Sequence, residues 1–249
     1  MKPFDEIRFS GDRVEEYVNA GDSTLSSRER KDILAYHHDV GLEVSPQLLP
    51  RLSAIFEDVK EKLGIGSGVH CFVIPHPFPN AVCRHRGDSL ESGEDSLVAI
   101  VLHSSLVNLM SDDELTGVIG HELGHAIFSH NKLPCPGQDQ HPFEVMNAMR
   151  LSRAAEISAD RIGFLCCPDI ETCFLAELKL ESGLSEEHLR IDIPAYLDQI
   201  RENREILEHS GEFMATHPMP ALRLKALNLF SMSQAYYDWA GISRAGIAT

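Results

Sequence analysis

The sequence predicts a mainly helical α+β fold in which a small sheet lies beside one strongly written helix. Three observations predict it. Ser111-Asp112-Asp113-Glu114 reads as a capping box, with an N-cap serine, acids in the first turn and Glu114 three residues on. Three short segments before it, Cys71 to Ile74, Asn80 to Cys83 and Leu97 to Leu102, have strand character. Apolar residues at helical spacing recur on both sides of this block.

In chain order, the first forty residues read as a helical extension with weak turns at Gly11, Gly21 to Ser23 and Gly41, and with Ile33, Leu34 and Tyr36 on one modest face. A domain boundary is expected near residue 44, with a 1–44 helical N-terminal extension and a 45–249 main domain. Pro46 to Leu63 reads as a helix, because Leu48, Leu49, Leu52, Ile55, Phe56, Val59 and Leu63 share a face, and Gly64 stops it. The strands follow, with Pro75, Pro77 and Pro79 between the first two and a loop from Gly87 to Asp95 between the last two. The capped helix should run to about His130. A loop with Pro134, Pro136, Gly137 and Pro142 interrupts, and a second long helix spans Phe143 to Leu165, ended by Pro168. The remainder reads as mainly helical, with breaks at Gly183, Pro194, Gly211 and Pro218 to Pro220.

Composition limits the function. The chain has 249 residues, 43% hydrophobic and 24% charged, the balance of a soluble globular protein. Its longest wholly apolar run is Leu97 to Leu102, far short of the ~20 residues a membrane helix needs. Met1 to Glu6 shows no basic-then-apolar leader. A net charge of −16 opposes phosphate backbones and anionic lipid, so nucleic-acid and membrane-surface roles are set aside. Six cysteines, with no C-x-x-C pair, read as reduced thiols in a cytoplasm.

The chemistry starts inside the capped helix, at His121-Glu122-Leu123-Gly124-His125. Residues four apart stack on one helical face, so both imidazoles can reach one Zn²⁺ at about 2.0–2.1 Å. Glu122 can lean over the open coordination position and take a proton from water there. Gly117, Gly120 and Gly124 each cost ~1 kcal/mol inside a helix, which suggests that something packs unusually close.

A catalytic zinc needs a third protein ligand. His130 is five residues after His125, not six, and Phe128 stands where the metzincin pattern has glycine, so that pattern fails. Glu156, on the next long helix, is the better candidate. Asp160 shares its face and can hold the outer N–H of a ligand histidine. Glu156 could instead be a surface acid paired with Arg153 or Arg161. Thr216-His217-Pro218 and Arg223 form a last cluster. His217 or Arg223, or both, could donate to the oxyanion of a tetrahedral intermediate; equally, Pro220 could simply start a helix with Arg223 on its surface. These residues alone leave both open.

Taken in order, Asn80-Ala81, Asp112 to Leu115, His121-Glu122-x-x-His125, Glu156-x-x-Ala159-Asp160 and His217-Pro218 with Arg223 resemble metallopeptidase family 48, the HtpX and CAAX-prenyl-protease type of gluzincin. The resemblance spans about residues 45 to 235. It implies a zincin-like metallopeptidase fold and a zinc endopeptidase with one Zn²⁺ per chain. It implies ligands at His121, His125 and Glu156, a base at Glu122, and His217 and Arg223 around the transition state. It also implies a substrate-binding edge strand near Asn80 and Ala81, where a peptide or protein substrate adds as a strand. Many members carry flanking transmembrane helices; this chain has none, and it looks like a minimal soluble member.

Two rival readings follow from the same residues. One is a catalytically silent or latent protein of this fold that binds peptides, with the 131–143 loop across the cleft and Cys135 capping the metal. The other is a peptidase of protein–DNA adducts, which the charge opposes. His37-His38-Asp39 lacks further ligands and reads as a helix end, Cys166-Cys167 as structural thiols, His103 as a strand end, and Tyr236, Tyr237 and Trp239 as core closure.

Overall fold

The computed structural model describes residues 4–14, 26–87, 90, 96–134, 141–192, 194–196, 198 and 220–241. It is mainly helical around a small sheet, as expected, but the sheet has a fourth strand, Leu42–Glu43, that the sequence reading did not include. The elements are α1 (Ser27–Val40), β1 (Leu42–Glu43), α2 (Pro50–Leu63), β2 (Val69–Ile74), β3 (Ala81–Arg86), β4 (Leu97–His103), α3 (Ser104–Leu109), α4 (Asp112–Ile127), α5 (Pro142–Cys166), α6 (Ile170–Ser182), α7 (Pro220–Ser231) and α8 (Gln234–Ala240). No described helix is long and apolar enough to cross a membrane.

The sheet order is β1-β2-β4-β3. β4 lies parallel to β2 and antiparallel to β3. Its run Leu97 to Leu102 is buried throughout, as a central strand covered on both faces requires. One core joins Leu52, Ile55, Phe56, Val59 and Leu63 of α2 to β2, β4 and the Leu115, Ile119 and Leu123 stripe of α4. β3 is an edge strand, as β1 is at the other side of the sheet, so one of its edges has no strand partner among the described residues.

Several boundaries differ from expectation. α2 begins at Pro50, a good first helical residue, rather than Pro46. α4 ends at Ile127 rather than near His130, because Ser129 takes a left-handed backbone (φ 55°) that turns the chain back on itself. Within the first forty residues, Ser27–Val40 is helical behind a Ser26/Glu29 capping box, and residues 4–14 run as turns. Phe4, Ile7 and Val14 of that segment are buried, with Phe4 against Trp239 at 5.2 Å.

The glycines of α4 meet α5, which accounts for their cost. A Cβ on Gly124 would lie 2.9 Å from Ala159 Cα and 3.1 Å from Ile162 Cβ. One on Gly163, in α5, would lie 2.8 Å from Gly117 O. The two ligand-bearing helices thus touch backbone to backbone. A Gly124→Ala change gains ~1 kcal/mol of helix propensity but must push backbone aside, which costs about 1–3 kcal/mol. The clash should win, lowering the melting temperature by several degrees. Gly66→Ala, with open space around it, should change little. A Gly124→Ala protein that melts at or above wild type would contradict this packing.

Candidate metal centre

α4 and α5 bring His121, His125 and Glu156 together, the one such group of potential metal ligands among the described residues. His121 Nε2 lies 3.2 Å from His125 Nε2 and 3.4 Å from Glu156 Oε2, and His125 Nε2 lies 3.6 Å from Glu156 Oε1. Ligand bonds of about 2.0–2.1 Å in a tetrahedron imply edges of about 3.3–3.4 Å. The spacing fits one small dication. Glu156 is 7% exposed, so the alternative of a solvated surface acid does not describe it.

The orientation of each ring fits as well. His121 Nδ1–H donates to Asp160 Oδ1 at 2.9 Å, which leaves a lone pair on Nε2. Burial works against a His121 cation, but Asp160 and Glu156 outweigh it and push the ring up to about 10. Burial pushes His125 down to about 3. Without a metal the pair holds one proton more than two neutral rings do near neutral pH, and a dication takes that extra proton's place.

Asp160 is itself held from the other side. Arg223 on α7 donates from Nε to Asp160 Oδ2 at 2.9 Å and from Nη2 to Oδ1 at 2.6 Å, and from Nη1 to Glu177 Oε1 of α6 at 2.6 Å. Burial alone would raise Asp160, but Arg223 and His121 hold it down to about 2. Arg223, read from the sequence as a donor to an oxyanion, is placed behind Asp160. Three of its N–H groups are engaged by carboxylates, so in this geometry it acts through Asp160 on His121. His217 lies outside the described residues, as does Cys135.

Glu122 is 8% exposed and lines the same cleft. Burial raises its carboxyl, opposed by His121 and by the Cys83 backbone N–H of β3, which donates to it. The cleft, about 720 Å³, runs between α4, α5, α6 and the outer strand, with Asn80, Ala81, Val82 and Cys83 along one wall. The free edge of β3 thus faces the metal ligands.

Sequence reasoning missed three partners: Glu177, the Cys83 N–H and a second carboxylate behind His125. Only the last had a trace in the sequence, since His130 follows His125 closely; the helix end that turns His130 back was not legible. His37, by contrast, is buried with Nδ1 on Ile33 O and its ring on Phe72, as a structural histidine. His103 ends β4 with Nδ1 on Phe78 O, and Cys166 packs where Gly120 leaves room.

The chain is similar to known proteins. A family model described as peptidase family M48 matches residues 46–135 and 142–230. A similar relative is the plastoglobule-localized metallopeptidase 48, chloroplastic, of Arabidopsis thaliana, 25% identical over 238 residues that cover 87% of this chain and 67% of the relative. No solved structure matches.

Proposed function

The chain belongs to peptidase family M48, and on that footing we propose that it is a zinc-dependent endopeptidase with one Zn²⁺ per chain, held by His121, His125 and Glu156. The observation that carries this reading is the trio of ligand atoms at tetrahedral spacing, with the buried Glu122 on the same helix. When bound there, Zn²⁺ supplies a Lewis acid that brings the pKa of water toward about 7 and polarises a carbonyl.

The protein's own residues do the rest. The free edge of β3, from Asn80 and Ala81, holds an extended peptide by main-chain hydrogen bonds, which sets the scissile bond over the cleft. Glu122 accepts the proton of the attacking water and passes it to the departing amine. Its burial favours the protonated form and makes it a stronger base than an exposed glutamate. Asp160, locked by Arg223 and Glu177, keeps His121 in the tautomer that offers Nε2. His217 is kept as a donor to the oxyanion.

Residues 45–249 are assigned as the unit that supplies the metal ligands and the base, with 1–44 as an extension whose Phe4 and Ile7 pack into its core. Within the family, the HtpX and CAAX-prenyl-protease type is the branch the motif order supports. The cytoplasm is the assigned compartment, on the free thiols at Cys71, Cys83, Cys167 and Cys173.

The test is hydrolysis of an unfolded protein substrate. Activity should vanish with a strong chelator and return with one equivalent of Zn²⁺. A protein that binds one equivalent of zinc yet cleaves nothing would instead be the silent, peptide-binding member.

A further inference from the structure

His130 stands just past the end of α4 and has no part in the chemistry above. Its ring is buried and bonded at both nitrogens. Nδ1 lies 2.8 Å from His125 Nδ1, and Nε2 lies 2.8 Å from Asp12 Oδ2. Asp12 comes from 118 positions earlier in the chain, and its side chain is fully covered.

Proton placement along this line follows from the donor inventory. A carboxylate only accepts, so His130 carries its proton on Nε2 and its Nδ1 is an acceptor. That acceptor takes the Nδ1–H of His125. The lone pair of His125 is then on Nε2, the atom that faces His121 and Glu156. Asp160 does the same for His121 directly. Each imidazole of the trio thus ends on a carboxylate, one at first hand and one through a second ring.

Asp12 is itself built in rather than loosely placed. Arg8 Nε lies 3.2 Å from Asp12 Oδ2. The Phe9 N–H donates to Ser158 Oγ of α5 at 3.1 Å, and Arg161 Nη1 donates to Ile7 O at 2.9 Å. Phe4 and Ile7 belong to the main core. This segment, residues 4–14, lies before the stretch that the family model matches.

We infer that Asp12 and His130 are positioning residues of the metal centre, and that residues 4–14 complete it by fixing the His125 ring with Nε2 aimed at the metal. The inference rests on the metallopeptidase reading proposed above. An isosteric Asp12→Asn loses the charge that fixes the His130 proton, and His130→Leu removes the acceptor on His125 altogether.

The experiment measures Zn²⁺ affinity of the full chain by competition with a chromophoric chelator, for wild type, both single variants, the double variant and His121→Ala. Each single variant should bind zinc about 10- to 100-fold more weakly, the size of effect outer partners of ligand histidines have. The double variant should lose no more than the worse single, because both act on one ring. The visible bands of the Co²⁺-loaded protein should shift in each. If Asp12→Asn and His130→Leu match wild type in affinity and spectrum, the inference is overturned and the metallopeptidase reading stands. A lower melting temperature of the metal-free variants with unchanged affinity overturns it too, as a purely structural role. If wild type takes up no zinc, or His121→Ala binds it equally well, the reading itself falls and takes the inference with it. Should one variant not fold, the other decides; failure of both to fold even with saturating zinc counts against a positioning role.

Discussion

Glu122→Gln should lower peptide hydrolysis by about a thousand-fold or more and leave zinc bound. General acid–base groups contribute typically about 10²- to 10⁴-fold, and Glu122 is asked to act twice, on the attacking water and on the departing amine. The substitution is nearly isosteric. Its amide oxygen can still accept from the Cys83 backbone N–H, so β3 and α4 should stay in place. Only the proton acceptor is lost. Burial raises the Glu122 carboxyl, so the wild-type base is stronger than a solvated glutamate and its removal costs correspondingly more. The check is kcat/KM on an unfolded protein substrate beside metal content by elemental analysis. Equal rates for variant and wild type would end the mechanism. Loss of zinc in the variant would move Glu122 from base to ligand.

Glu156→Gln should release the metal, and activity should disappear with it. Glu156 is buried on α5 and faces both Nε2 atoms at 3.4 and 3.6 Å. Replacing it by a neutral amide removes the one anion among the three ligands, in a site whose histidines remain neutral when metal is bound. The fall in zinc affinity should exceed the ten- to hundred-fold cost of losing an outer partner. Equilibrium dialysis against zinc measures it. Full zinc retention by the variant would show that the third ligand lies elsewhere.

The two helices differ in how legible they were. On α4, the capping box, the His121/His125 spacing and the glycine positions are all local patterns, and each has its counterpart in the fold. Glu156 required a pairing between helices. Its four-residue relation to Asp160 was visible, but its contact with the histidine pair depends on Gly117, Gly120 and Gly124 letting α5 approach. For Arg223, nothing near it in sequence announces Asp160 and Glu177, which sit on two other helices. Asp12 carried no trace at all, since its partner is 118 residues away and the turns that hold it are set by α5.

By itself, then, the sequence determined the helix that carries two imidazoles and a carboxylate on neighbouring positions, because an α-helix converts spacing into direction within a single turn. It also determined the central strand, whose unbroken apolar run must be covered on both faces. Only the tertiary structure decided which carboxylates stand behind His121 and His125, where α4 stops, and which face of Arg223 is used. Those are contacts between elements far apart along the chain, and they are set by how closely the helices pack and where the chain turns, which periodicity does not encode.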